Sequence, residues 1–407
     1  MNCRHCKTFL KNIFLDLGYS PPSNAYLTKD NLHQSEVHYP LKVLVCDQCW
    51  LVQTEDYANA EELFTSQYAY FSSTSPSWVT HAKNYADKII EQFNLNSKSY
   101  VIEIASNDGY LLKNFVAAKI PCLGIEPTAS TADAAEKIGI PVLQKFFGKS
   151  LAHELALDGK KADLIIGNNV YAHVPDINDF TMGLKEILKK NGIITLEFPH
   201  FMNLINHNQF DTIYHEHFSY LSLYTVCKIF EKAGLRIFNV KELNTHGGSL
   251  RIYGCHIDDV RKTKNTVDLL LQKEKKSGLQ KIYTYKNFQL GVDKVKNDLI
   301  KFLSEQKIKG KKVVAYGAAA KGNTLINYCG IKEDLLPIVF DAAQSKQGCF
   351  MPGSHIPILS PKFIIETKPD YVLILPWNIA DEIKMQNIVL EKNGTQFLTA
   401  VPALKIL

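Results

Sequence analysis

The sequence predicts an α/β chain in three parts, and three observations carry that prediction. Two C-x-x-C pairs, Cys3 with Cys6 and Cys46 with Cys49, stand near the N-terminus. From about residue 75 to 256, short apolar runs alternate with segments of helical spacing, the pattern of a doubly wound parallel sheet. A second alternation of this kind opens at Lys311, after a lysine-rich stretch with no strand signal. The expected fold is therefore an N-terminal zinc-knuckle module over residues 1–70 and a Rossmann-like domain over 71–257. A helical linker and a second, C-terminal Rossmann-like α/β domain follow over 258–407.

The first part owes its character to the cysteines. Each C-x-x-C turn places two sulfurs on one side of a knuckle, and two knuckles complete a tetrahedron around zinc. The 39 residues between Cys6 and Cys46 exceed the commonest finger spacings, but ribbon-type sites tolerate such a loop. Disulfides are the competing reading, and a reducing compartment argues against them. Four thiolates leave no open coordination position, so Cys3, Cys6, Cys46 and Cys49 are expected to hold one structural zinc, with His5 a bystander. The other five cysteines read as buried small hydrophobes.

In the second part, strands are expected at 100–105, 122–126, 163–168 and 193–198. A helix over 178–190 would present Phe180, Leu184, Ile187 and Leu188 on one face and end at Gly192. A helix near 220–233 and strands at 235–240 and 249–256 complete the unit. Residues 258–310 read as one long helix or two. The last part has expected strands at 312–316, 337–340, 371–375 and 396–401.

Composition bounds the function. With 46% hydrophobic and 21% charged residues the chain is globular. A net charge of +5 suits an anionic small molecule, and no block of like charge suggests a nucleic-acid arm. The opening MNCRHCKTF lacks the apolar core of a secretory signal, and no run approaches the roughly 18 apolar residues of a membrane helix. The expected location is cytoplasmic, with neither nucleic acid nor membrane as partner.

Strand 100–105 runs into Ser106-Asn107-Asp108-Gly109 and then a helix. A strand, a tight turn and a helix N-terminus make a nucleotide cradle. Glu126 ends the next strand, 23 residues after Glu103, where an acidic side chain binds both ribose hydroxyls. Ala105 and Asn107 stand where glycines are common, and Asn107 tolerates the left-handed backbone such a turn needs. A dinucleotide's pyrophosphate would demand the tighter glycine pattern. S-adenosylmethionine carries no phosphate and does not. The expected cofactor residues are Glu103, Ser106, Asn107, Asp108, Gly109, Glu126 and Asn168. Asn169, beside Asn168 at the end of the fourth strand, would face substrate.

Between the fifth strand and the following helix lies Asp211-Thr-Ile-Tyr214-His215-Glu216-His217, with His200 upstream and His173 after the fourth strand. This is the carboxyl-end rim, where open α/β sheets do their chemistry, and histidine is the natural base near neutral pH. A metal on His215 and His217, or simple hydrogen bonding of a surface loop, are the competing readings.

These residues, with Tyr68-Ala-Tyr70-Phe-Ser-Ser73, Gly247-Gly-Ser-Leu-Arg251 and Tyr316-Gly-Ala-Ala-Ala-Lys321-Gly-Asn323, resemble the nucleotide-sugar C-methyltransferases of deoxysugar biosynthesis along nearly the whole chain. The type members are 3-C-methyltransferases acting on thymidine-diphosphate 4-keto sugars. The resemblance implies a class I methyltransferase domain in the middle and methylation of a sugar carbon through an enolate. It makes His217 the first candidate for the base. Glu216 and Tyr214 orient it or handle the enolate, and Tyr68 and His173 stand close by. It also implies that the C-terminal domain helps bind the nucleotide-sugar through Gly317, Lys321 and Asn323, with Asn169, His200 and Arg251 toward substrate. Lys321 as a solvated turn lysine and Arg251 as a structural ion pair remain open. So do methylation of another acceptor, such as a sugar hydroxyl, and a non-catalytic zinc- and nucleotide-binding role.

Overall fold

The computed structural model describes residues 1–55, 57 and 71–407, and within them the chain builds three sheets. The first opens with β1 (Asn12–Ser20), β2 (Tyr39–Val45) and β3 (Val52–Thr54), paired antiparallel in sequence order. The cysteine knuckles flank it, one before β1 and one between β2 and β3.

The middle of the chain forms β4 (Val101–Ile104), β5 (Cys122–Ile125), β6 (Val142–Leu143), β7 (Ala162–Asn168) and β8 (Leu188–Pro199). The chain then returns to the first sheet as β9 (Ser219–Tyr220), antiparallel beside β3. It closes the middle sheet with β10 (Leu235–Leu243) and β11 (Ser249–His256). The order is β10-β11-β8-β7-β4-β5-β6, parallel from β8 to β6. The β10–β11 hairpin adds antiparallel to β8. The strand order reverses at β4, so the carboxyl ends of β4, β5 and β7 face one crevice.

Two expectations need correction. The helix of the 178–190 region spans Ile177–Ile187, and Leu188 is already strand because it pairs with Ala162 of β7. Gly192 therefore lies inside β8 and caps nothing. A Cβ there would stand 2.9 Å from the Ala162 carbonyl oxygen, so close strand packing rather than a helix end explains the glycine. The lysine-rich stretch holds three helices, Asn265–Lys276, Ile282–Lys286 and Phe288–Ile308, rather than one or two.

The third sheet contains β12 (Val313–Tyr316), β13 (Val339–Phe340), β14 (Ile358–Leu359), β15 (Tyr371–Ile374), β16 (Gln396–Thr399) and β17 (Lys405–Ile406). Its order is β14-β13-β12-β15-β16-β17, parallel apart from β17. β14 and β17 are two-residue strands, too short to leave an apolar pattern in the sequence.

The core joins what the sequence separates. Phe14, Leu15, Val43 and Val52 of the first sheet share one apolar cluster with Phe288, Val292, Leu299, Val313 and Leu373. Phe14 stacks on Phe288 at 4.8 Å and meets Phe201 edge-on at 5.4 Å. The cysteine knuckles instead pack with Leu44 and Leu51 into the cluster under the middle sheet. Among the described residues no helix is long and apolar enough to cross a membrane.

One buried polar pair ties the linker to the rim. His200 Nε2 meets Glu274 Oε1 at 2.7 Å, with neither side chain exposed. The same carboxylate accepts the Leu223 and Tyr224 amides, which open the helix Leu223–Lys232. Removing it would strand one imidazole and two amides in the interior. Glu274→Ala is therefore expected to cost about 3–5 kcal/mol of unfolding free energy, read from urea titration. A loss within about 0.5 kcal/mol would mean that water replaces the carboxylate at no cost.

Candidate active site

The loop from Phe210 to His217 crosses the carboxyl end of the middle sheet, and all three parts of the chain grip it. Trp377 Nε1 donates to Asp211 Oδ2 at 2.7 Å, and Thr324 Oγ1 donates to the Ile213 carbonyl at 2.8 Å. Asn24 Nδ2 donates to Glu216 Oε1 at 3.0 Å, and Thr54 Oγ1 to the His217 carbonyl at 3.2 Å. Asp211, Glu216 and His217 are buried as a result.

His217 Nδ1 lies 2.9 Å from the Thr212 carbonyl. A carbonyl only accepts, so Nδ1 carries the hydrogen and a neutral ring keeps its lone pair on Nε2. Burial holds His217 well below the ordinary imidazole range, helped by His173, with smaller contributions from His246 and Lys321. His173 stands edge-on at 4.5 Å, Nδ1 at 2.7 Å from the Glu216 carbonyl, and burial brings it down to about 4. Tyr214 lies over His217 with ring centres 4.0 Å apart. Glu216 Oε2 has no hydrogen-bond partner among the described residues, and burial raises this carboxyl above its ordinary value. His215 turns the other way, against Tyr39 and toward the Pro40 carbonyl, so it forms no metal pair with His217.

Lys321 reaches this rim from the C-terminal part. Its ammonium bonds Asn378 Oδ1 at 2.7 Å and lies 4.6 Å over the Trp377 ring. Burial lowers its pKa against the pull of Asp211, whose carboxyl burial in turn raises to about 6. Lys321 is no solvated turn lysine. Gly317, at φ +91°, turns the chain where a Cβ would meet Pro376 at 2.4 Å. Asn323 spends its amide on the Ser23 carbonyl, and its Oδ1 has no partner among the described residues.

The cofactor edge lies beside this cluster. Ala105, Asn107 and Gly109 all take left-handed backbone, at φ +56°, +50° and +76°. Asn107 does so as expected. Ala105 does so against its own preference, which costs about 1 kcal/mol or more and marks a position the loop over-determines. Asn107 Oδ1 and Asp108 Oδ2 accept the amides of Ser72 and Ser73 at 2.9 and 3.0 Å. Glu126 accepts the Asn107 and Thr128 amides, one on each oxygen, at 3.0 and 2.9 Å, which leaves a lone pair on each for a diol. Both Glu103 oxygens, Ser106 Oγ, Asp108 Oδ1 and both amide atoms of Asn168 are buried without partners among the described residues. Burial, then the charges of Glu126 and Asp108, raise Glu103 well above the carboxylate range. Buried acceptors need donors, and a crowd of carboxylates needs positive charge. A cationic sulfonium bearing an ammonium and a ribose diol fits that donor set.

Comparison with known proteins accords with this geometry. Residues 3–64 match a family model described as a zinc binding domain, 78–240 a methyltransferase domain, and 244–402 the C-methyltransferase C-terminal domain. The chain is 31% identical to C-methyltransferase NovU of Streptomyces niveus over 393 residues, covering 97% of this chain and 93% of that one. The chain belongs to the C-methyltransferase family. Solved structures similar to it include magnesium protoporphyrin IX methyltransferase of Synechocystis PCC 6803 with bound SAH, at 13% identity and TM-score 0.36, covering 44% of this chain and 83% of that one. Another is an S-adenosylmethionine-dependent methyltransferase of Clostridium acetobutylicum ATCC 824, at 11% identity and TM-score 0.35, with 43% and 90% covered.

This C-methyltransferase uses S-adenosylmethionine and carries one zinc. The sulfurs of Cys3, Cys6, Cys46 and Cys49 lie within 4.8 Å of one another, with Cys3–Cys49 at 3.5 Å and Cys6–Cys46 at 3.4 Å. A tetrahedral site with Zn–S near 2.3 Å has sulfur–sulfur edges of about 3.8 Å, so the four thiolates fit. His5 bonds Asn178 instead, the bystander expected.

Two expected substrate residues stand elsewhere. His200 is held by Glu274, as described. Arg251 is a structural ion pair, its Nη2 at 2.7 Å from Glu197 Oε2, because β11 sets it directly opposite Glu197 of β8. Asn169 keeps its place on the rim, where its Nδ2 meets His246 Nε2 at 3.1 Å. His246 was missed by sequence reasoning, although Gly247-Gly248 after it is a signal of unusual backbone. At φ +53° it packs 4.9 Å from Trp78, and burial brings it down to about 4. Tyr68 lies outside the described residues.

Two measurements check these sites. Protein purified without added metal should contain about one zinc per chain, and Cys46→Ser should release it and lower the melting temperature. Full metal retention in that variant would remove Cys46 from the ligand set. Glu126→Ala should lose charge-assisted hydrogen bonds worth roughly 1.5–3 kcal/mol each, seen calorimetrically as weaker S-adenosylmethionine binding. Unchanged affinity would place the ribose elsewhere.

Proposed function

We propose that this enzyme methylates a carbon, C3, of a nucleotide-diphosphate 4-keto-deoxysugar through an enolate, with His217 as the base. The observation that carries the reading is the tautomer of His217. Its Nδ1 is committed to the Thr212 carbonyl, and burial keeps the ring neutral at physiological pH. A neutral, fixed imidazole with its lone pair on Nε2 is what proton removal beside a carbonyl requires.

A keto group acidifies the hydrogen on the neighbouring carbon. His217 takes that proton, the C–H electron pair becomes the enolate, and the enolate carbon takes up the methyl group. Bound S-adenosylmethionine supplies an electrophilic methyl on sulfonium. Tyr214 and His173 pack against the imidazole, and Glu216, its carboxyl raised by burial, stands in the same loop to handle the enolate. Lys321 brings positive charge to an anionic substrate, next to Gly317 and Asn323 of the same turn. NovU, a C-methyltransferase by name, supports transfer to carbon rather than oxygen.

The proton-removal half can be read by itself. With the demethylated cofactor bound, the enzyme should exchange the C3 hydrogen of a thymidine-diphosphate 4-keto sugar with deuterated water. His217→Asn should suppress exchange and methylation together, by about a hundred- to ten-thousandfold. A product methyl located on oxygen by NMR would overturn the proposal.

A further inference from the structure

A cavity of about 390 Å³ lies on the face of the middle sheet that packs against the helix Pro76–Gln92. Its wall is built by alternation. Asn239 and Lys241 of β10 stand opposite Tyr253 and Arg251 of β11, so all four share one face, and Lys88, Gln92 and Lys264 close the rim. None of the residues assigned above to cofactor or catalysis lines it, and its lining contains no carboxylate.

Arg251 and Tyr253 are buried, with 5% and 6% of their surface exposed. Arg251 spends Nε and Nη2 on Glu197, and Nη2 also meets His81. Among the described residues nothing accepts from its Nη1, nor from the Tyr253 hydroxyl, although both side chains line the cavity. The Lys88, Lys241 and Lys264 ammoniums are exposed and form no ion pair among the described residues.

A guanidinium edge, a phenol and three ammoniums are donors, and they crowd positive charge onto one concave wall. These donors face the cavity and find no acceptor among the described residues. A compact anion with several acceptor oxygens suits such a wall, and the cavity volume is at the small end of ligand sites. We propose that this cavity binds a small phosphorylated anion at a site separate from the reacting centre. The link to the centre runs through Glu197, which accepts from His81 and from the Thr245 hydroxyl, one residue before His246 on the rim. An occupant that fixes Arg251 therefore also steadies that part of the rim.

The test uses the full-length enzyme saturated with S-adenosylhomocysteine and titrated calorimetrically with inorganic pyrophosphate at low ionic strength. One pyrophosphate per chain is expected, with affinity falling as salt rises. The charge reversal Lys88→Glu with Lys241→Glu, on exposed residues, should weaken pyrophosphate binding by about tenfold or more and leave S-adenosylhomocysteine affinity unchanged. Tyr253→Phe should give a smaller loss in the same direction. No binding would overturn the proposal. So would binding that survives the charge reversal but disappears in Lys321→Ala, because the anion would then sit on the substrate side of the reacting centre.

Discussion

The structure depends on the cost of burying one polar loop. Asp211, Glu216 and His217 lie within a few residues of each other, and each is at most 8% exposed. No single domain surface could satisfy them, because groups taken out of water must find partners or give up their charge. The partners come from everywhere: Asn24 and Thr54 from the N-terminal part, Thr324 and Trp377 from the C-terminal part. The three parts of the chain are thus held at one place by the site they make.

The apolar core follows the same logic. The N-terminal sheet packs on the helix Phe288–Ile308 and the third sheet, while its cysteine knuckles pack under the middle sheet. Asn323 on the Ser23 carbonyl and Tyr26 on the Ala318 carbonyl fasten the first part to the turn that carries Lys321. A zinc in the N-terminal part therefore bears on the chemistry of the rim. The metal sets the knuckles, the knuckles set β2 and β3, and the loop before β2 presents Asn24 to Glu216.

Local signals in the sequence carried the parts that depend on few residues. The C-x-x-C pairs, the loop from Glu103 to Gly109 with Glu126, and the His–Glu–His triplet are each short: the structure brings the four sulfurs together and sets Glu126 on the Asn107 amide, while of the triplet His215 turns away from His217. Long-range pairing was illegible. Arg251 and His200 look available for substrate until Glu197 and Glu274 are seen beside them, and those partners lie 54 and 74 residues away. Gly192 looked like a helix end because the pairing of Leu188 with Ala162, which starts β8 before it, is invisible without the register. His246 escaped because its left-handed backbone, rather than any motif, brings it to Asn169.

The electrostatics of the two ligand edges are opposite, and this suits a reaction between a cation and an anion. Glu103, Asp108 and Glu126 crowd carboxyl groups at the ends of β4 and β5, and that crowding favours a cation beside them. Across the rim stand imidazoles held neutral by burial and the ammonium of Lys321. In the proposed reaction the first side suits a sulfonium, and the second a diphosphate or an enolate. Were the histidines protonated at rest, they would stabilise the anion but could not generate it. Burial resolves this conflict. It lowers the histidines and so keeps them neutral, and in the proposed reaction the imidazolium formed on proton removal would face the enolate as its counter-charge. On that proposal the base and the electrostatic stabiliser are one residue at two moments of the reaction.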